Sequence, residues 1–473
     1  PLKPARMESE SIPKLYHSFL KLSFGNYVSP AGELHVNSLR SKNNSGGAYI
    51  KHLSSYGKVK LSNDEKVFSG FGDTDFLLYG KKLFKNSILK GEFGANQDWI
   101  HFYGYKPSID TSLSKESIRQ NYLDVFAGIH FQSSYLDSNH LNYDFYTSYH
   151  FFNDRYKNTQ HEVDFQLDIN KSISGKVFGG ILSVRYLGSE MDAIAHPVSY
   201  IGIEPWFSQR SSVWALNLAL NMSFEVEEGN AIPHFYPKAK FKFNVVPKYL
   251  TSYVGVDGSL ESHSYREISN ENPFQIPGLN VQSTDHKLNF FGGFHGSFSR
   301  KSAWHLRGSY SLIDQMYFFV NDTVSGLGNQ FHLEYDDVEL GRIQGEISTA
   351  VGPSTEVQVK ANYYFYGLAT ELYAWNKPNF DITAGIRYNL RDKILVDLDA
   401  FYVGKRYAKS YDFGVSSIAL DGFVDLNLKI EYRYTRILSA FLRLNNILSG
   451  RYELWNQYPG QSFFIQAGFT YSL

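Results

Sequence analysis

The stretch VDLNLKIEYRY, Val424 to Tyr434, alternates without a break. Val424, Leu426, Leu428, Ile430, Tyr432 and Tyr434 occupy the even positions; Asp425, Asn427, Lys429, Glu431 and Arg433 occupy the odd ones. Side chains of a strand point to opposite faces in turn, so one face of this segment is apolar and the other polar and charged. A second long run, WALNLALNMSFEV, places Leu216, Leu218 and Leu220 on its apolar side and Asn217 and Asn221 on its polar side. The same pattern returns in EVQVKANYYF from Glu356 and in VDFQLDIN from Val163. A strand of a soluble protein usually has about 5–6 residues, whereas one that crosses a membrane at a tilt needs about 9–11. Many of these runs reach the longer figure. The expectation is an all-β fold, a large antiparallel transmembrane β-barrel. Leu216, Leu218, Leu220, Leu426, Leu428 and Ile430 should face lipid; Asn217, Asn221, Asp425, Asn427, Lys429, Glu431 and Arg433 should face a wet lumen. A soluble sandwich or propeller also alternates and is the competing reading.

Composition narrows the function classes. Aromatic residues make up 16% of the 473, with 35 Tyr and 37 Phe, as girdles at two membrane interfaces would require. The formal net charge of −1 argues against a nucleic-acid partner and against a pore with strong bias toward one ion sign. There is no cysteine, which excludes disulfides, thiolate metal sites and cysteine nucleophiles. No run of about 18 apolar residues is present, and a closed ladder can cross a membrane without one. The start, PLKPARM, is charged and has no apolar core, so the chain is expected to be a mature or trimmed form.

Counting alternating segments bounded by turn residues gives about 22 strands, the size of plugged outer-membrane transporters. The expected division is a short periplasmic segment, 1–14, and one barrel domain, 15–473. Asn86, Ser174, Ser212, Asp392 and Arg436 mark tight turns, expected on the periplasmic side. Longer links fall at 106–115, 269–284, 322–329, 368–377, 411–418 and 450–461. None looks long enough to fold inward and fill so wide a barrel, and no helical segment stands out.

Motifs for chemistry are absent or weak. There is no HExxH, P-loop, EF-hand or GxSxG pattern, and Gly70 and Gly72 precede no helix. His332, Glu334 and Asp336 share one strand face at metal-ligand spacing, yet alternation produces such triplets freely. Glu225, Glu227 and Glu228 at a strand end read the same way. Lone histidines such as His101 and His295 fit a wall better than a ligand set. No catalytic residue, metal or cofactor is expected.

The C-terminal stretch LSAFLRLNNILSGRYELWNQYPGQSFFIQAGFTYSL resembles the last two strands of TonB-dependent receptors. The run Leu442, Leu444, Asn445, Asn446, Ile447, Leu448, Arg451, Tyr452, then Pro459-Gly460 and a closing aromatic strand carry the resemblance. By that resemblance Phe469, Tyr471 and Leu473 form the signal read by the barrel-assembly machinery, although the family usually ends in an aromatic residue and this chain ends in Leu473. The opening LYHSFLKLSFGNY looks like the first strands of plugless relatives of that barrel, and the expected departure from the family is that neither a TonB-box nor a plug fits in Pro1 to Lys14. The implied setting is the outer membrane of a Gram-negative bacterium, crossed many times. The implied partners are its lipids and lipopolysaccharide, the assembly machinery, and other outer-membrane or lipoprotein subunits. Two functions follow. One is a plugless barrel acting as a subunit of a multi-protein complex for envelope assembly, export or nutrient capture. The other is the barrel of a TonB-dependent transporter whose plug is absent from this chain. An enzyme in a barrel finds no support in the motifs.

Overall fold

A computed structural model describes residues 16–39, 41–105, 114–135, 140–191, 194–323, 325–411 and 414–473. The expected N-terminal segment 1–14 and most of the link 106–115 lie outside the described residues. Twenty-two strands form one antiparallel sheet that closes on itself. Each strand pairs with the next in sequence. The last, Phe464–Ser472, pairs with Leu438–Asn445 on one side and with the first strand, Ser18–Gly25, on the other. Closure leaves no open edge, so every strand can satisfy its backbone groups. The seam is tight: a Cβ on Gly468 would lie 2.2 Å from the Leu22 carbonyl oxygen, so only glycine fits there. Among the described residues no helix is long and apolar enough to cross a membrane, which says nothing of strands.

The two ends of the barrel differ. At one end the connections are short. Ile173 and Lys176 close a hairpin over Ser174 and Gly175, at φ 51° and 76°, a mirror-image turn that matches strand twist. Asn86, Ser212, Asp392 and Arg436 turn the chain at this same end, as the sequence predicts. The chain enters its first strand and leaves its last there too. The opposite end carries the long links, after strands Asn44–Ser55, Ser87–His101, Leu250–Glu261, Ser302–Asn321, Thr355–Leu368, Ile394–Val403 and Leu438–Asn445. Strands Ser302–Asn321 and Phe331–Val351, with 20 and 21 residues, project furthest, against 8 for Ser18–Gly25.

Here two expectations are corrected. The links do fold inward, and one contains a helix, Tyr265–Glu271. Ser264 caps that helix and Glu267 answers it, an S-x-x-E capping box that satisfies two backbone donors reciprocally. The strand before it, Leu250–Glu261, therefore stops ahead of the cap. Likewise strand Ile394–Val403 stops at the wall, and Arg406–Lys409 turns aside to pair with Ser417–Leu420. The main buried apolar clusters sit at this end. Phe318, Phe319, Val320 and Phe331 are 0% exposed, while outward residues of the wall such as Phe298 reach 74%. The core is thus a cap on the barrel rather than a filling of its middle.

Candidate functional site

Tyr458, in the link between the last two strands, is the hub of the cap. Its ring stacks on Phe274 at 3.8 Å between centroids and meets Tyr103 edge-on at 5.0 Å. Its hydroxyl donates to the Asn329 carbonyl. Tyr103 donates to the Pro459 carbonyl at 3.0 Å, and Asn456 donates its side-chain amide to Asn321 at 2.6 Å. Tyr122 donates to the Pro273 carbonyl at 2.9 Å. These groups come from links and strand ends spread around the ring. In a closed cylinder such elements meet only inside it or over its mouth, so the face they pack on is the inner one.

The helix is held by charge. Arg185 of strand Lys176–Met191 bonds Glu162 at 2.6 Å and Glu267 at 2.7 Å, and Arg266 reaches Glu162 at 3.0 Å. Tyr265 donates to Asp154 at 2.9 Å. Glu162 is only 2% exposed, and two guanidinium groups offset its burial. At the helix end, burial pushes the Glu271 carboxyl up, but Lys377 at 2.9 Å and the Tyr317 hydroxyl outweigh it, so its pKa lies below the ordinary value. Burial holds the nearby His263 below its ordinary 6.5 despite the Glu261 and Glu267 carboxylates.

Beside the hub opens a cleft of 750 Å³, lined in part by Leu61, Tyr105, Phe423, Arg451, Tyr452 and Glu453. Phe423 and Tyr452 stack at 4.0 Å, nearly parallel, and Tyr452 donates to Asp425 at 2.7 Å. Arg406 lies 5.5 Å over Phe423 and donates to the Leu454 carbonyl at 2.5 Å. Burial raises the Glu453 carboxyl, with the Gln457 N–H and Arg406 acting against it. Aromatic faces beside fixed polar groups suit reversible binding of a polar ligand.

The residues singled out in the sequence fall as follows. On the polar side, Ser208 donates to Asn217 at 2.7 Å, and Asn221 donates to Glu204 at 2.9 Å. Asn427 accepts from the Asn446 N–H at 3.0 Å. Lys429 sits 3.5 Å from Glu431, and Arg433 3.6 Å from the same carboxylate. On the apolar side Leu218, Leu220 and Ile430 are exposed, at 42%, 41% and 36%, and Leu216, Leu426 and Leu428 are half-buried by neighbouring strands. Phe469 pairs across the seam with Leu22, and Tyr471 with Leu20. His332 lies 3.5 Å from Glu334, but Glu334 is held by Lys409 at 2.8 Å and by Tyr411. Asp336 accepts from the Thr370 and Glu371 N–H groups. Among the described residues no three His, Asp or Glu gather at metal-binding distances. Glu225 accepts from Ser283, and His101 bonds the Gly70 carbonyl at 2.7 Å. Sequence reasoning missed Tyr103, Phe274 and Tyr458; only the S-x-x-E motif at Ser264 could have signalled a folded link.

No family model and no curated protein sequence matches the chain. Solved structures do. The FrpB iron transporter from Neisseria meningitidis (F3-3 variant) superposes with a TM-score of 0.76 at 10% identity, over 98% of this chain and 82% of that one. The ferric-catecholate import receptor Fiu from E. coli K12, in a closed form, gives 0.71 at 10% identity, over 97% and 82%. The ferripyoverdine receptor of the outer membrane of Pseudomonas aeruginosa gives 0.67 at 11% identity, over 98% and 72%. At these identities what the chain shares with them is the fold, a closed 22-stranded antiparallel barrel.

Proposed function

We propose that the chain is the barrel of an outer-membrane uptake receptor of the TonB-dependent kind, importing a scarce polar nutrient such as an iron chelate. Its apolar outer face sits in lipid and its polar inner face lines an aqueous lumen, with the linked end toward the outside and the short turns toward the periplasm. The observation that carries this is the match of nearly the whole chain, through all 22 strands, to barrels whose names describe iron transport and siderophore import. The cap and its cleft support it: a receptor needs a ligand-sized recess at its outer mouth, and the linked end has one. The uptake reading has this support. The alternative role as a subunit of an envelope complex has only the resemblance of the opening strands.

The test is uptake in the native bacterium. Deletion of the gene should lower accumulation of radiolabelled iron chelates under iron limitation, and a protonophore should abolish the difference. Unchanged uptake, together with co-purification of stoichiometric outer-membrane partners and loss of envelope integrity, would establish the subunit role instead.

A further inference from the structure

Many inner-wall cations are ion-paired: Arg185 with Glu162, Lys429 with Glu431, Lys409 with Glu334, Lys51 with Asp75 and Lys238 with Glu204. One group departs from this. Lys240 and Lys242 stand on strand Asn230–Val246, Arg307 and His305 on strand Ser302–Asn321, and His295 on Thr284–Ser299, one of the two strands between them. None of the five has a carboxylate within ion-pair distance among the described residues. Acidic groups on the adjoining strands Leu250–Glu261 and Phe331–Val351 are otherwise engaged: Asp257 accepts from Asn289 at 2.8 Å, and Glu346 accepts from Gln358 at 3.1 Å.

These residues surround an aromatic platform. Lys240 lies 5.5 Å from the centre of the Phe291 ring and Arg307 5.0 Å from the same ring. The Arg307 Nε is buried without a hydrogen-bond partner. Tyr253 bonds His305 through its hydroxyl at 2.7 Å, and His295 lies 6.1 Å from Tyr253. Two glycines lay the rings flat on the wall. A Cβ on Gly255 would come within 2.5 Å of Phe291, and one on Gly293 within 2.7 Å of the Tyr253 hydroxyl. Phe291 is 8% exposed, while Phe290 and Phe294 beside it are about half exposed on the outer face, at 52% and 47%. Below the platform, toward the short-turn end, His295 and His305 border a recess of 760 Å³.

We propose that this wall segment is a binding site for a small organic anion, one carrying two or more carboxylate or comparable acidic groups on a planar body. Flat ring faces take the planar body, and Lys240, Lys242 and Arg307, left without counter-ions of their own, take the acidic groups. The location, in the short-turn half of the wall, rests on the uptake reading for its use: it is where cargo leaving the lumen would pause.

The site is tested on the purified full chain in detergent, apart from transport. Pyrene-1,3,6,8-tetrasulfonate serves as probe, read by fluorescence anisotropy, with citrate as competitor. The chain should bind the probe, citrate should displace it, and added salt should weaken it. Lys240→Gln with Arg307→Gln should weaken binding about tenfold or more. Lys51→Gln with Lys90→Gln, the same charge change on the far wall, should shift it less than about twofold. Phe291→Leu keeps every charge and removes the platform; it should weaken the pyrene probe and leave citrate unchanged. Retained heat-modifiable gel mobility checks that each variant is folded. Equal affinities for the two double variants, or a probe that stays free, overturn the site. Neither outcome bears on chelate uptake, which the gene deletion tests by itself.

Discussion

Strand Phe423–Arg433 and the link 446–463 are near neighbours built by opposite rules. The strand repeats every two residues, makes local pairs with the strands beside it, and keeps one face apolar, with Val424, Ile430 and Tyr432 exposed. The link has no period. Its Asn456 and Tyr458 are buried, and each is satisfied by a group more than a hundred residues away, Asn321 and Asn329. The wall is therefore stable through its solvent and its ladder, strand by strand. The cap is stable only when several links arrive together, and such a region is where opening would begin.

The comparison breaks most completely at the seam. Removing Phe469–Leu473 should abolish the barrel altogether, because those residues pair with both Leu438–Asn445 and Ser18–Gly25. The unpaired groups left in lipid each cost several kcal/mol. Heat-modifiable mobility and outer-membrane levels check this; a truncated chain that still inserts would mean that closure lies elsewhere. Next comes the hub. Tyr458→Ala should cost the cap about 3–5 kcal/mol and leave the wall intact, seen as loss of hydrogen-exchange protection at 265–279 with strand protection unchanged. Loss of protection in the strands as well would deny that cap and wall are separate units.

Within the wall, the two faces should differ. Leu218→Arg should destabilise the barrel by about 2–4 kcal/mol, whereas Asn217→Arg, one residue along, should cost little, as folding titrations in lipid vesicles would measure. Equal costs would remove the membrane reading. The smallest effect is expected from pH. The His263 pKa is held below its ordinary 6.5, so the unfolded cap takes up a proton first, and stability falls as pH drops below that value. Glu271 acts later: its depressed pKa gives stability that is present above the ordinary carboxylate range and is lost as pH falls through the folded value. Protection at 263–271, corrected for the intrinsic exchange rate, should fall from pH 7.5 to 5.5 and fall again below the ordinary carboxylate range, while that of strand Phe423–Arg433 stays level. Uniform protection across that range would leave the cap without its proposed ties.

How much was legible follows from these rules. The alternation at Val424–Tyr434 and Trp214–Val226 is a local property, and it was enough to count the strands and sort short turns from long links. The cap was not legible because its contacts have no period: nothing near Tyr103 in sequence announces Pro459. Link length alone misled, since the links are individually short and close the mouth together. Ser264 and Glu267 were readable as a capping box, but lay inside a run with strand-like alternation. The paired carboxylates Glu334 and Asp336 show the reverse case, a local pattern dissolved by partners from Lys409 and Thr370 that only the fold supplies.

The claim that the wall separates lipid from water is tested most directly by single cysteines. The chain has none of its own, so each introduced thiol reports alone. Cysteines placed one at a time from Asp425 to Arg433, in a barrel reconstituted in vesicles, would be offered a membrane-impermeant maleimide and then a lipid-borne nitroxide quencher against a fluorescent label. The account predicts strict alternation: the odd positions react from water and escape quenching, and Leu426, Leu428 and Ile430 resist the maleimide and are quenched. Equal reactivity along the run, or quenching on both faces, would contradict it.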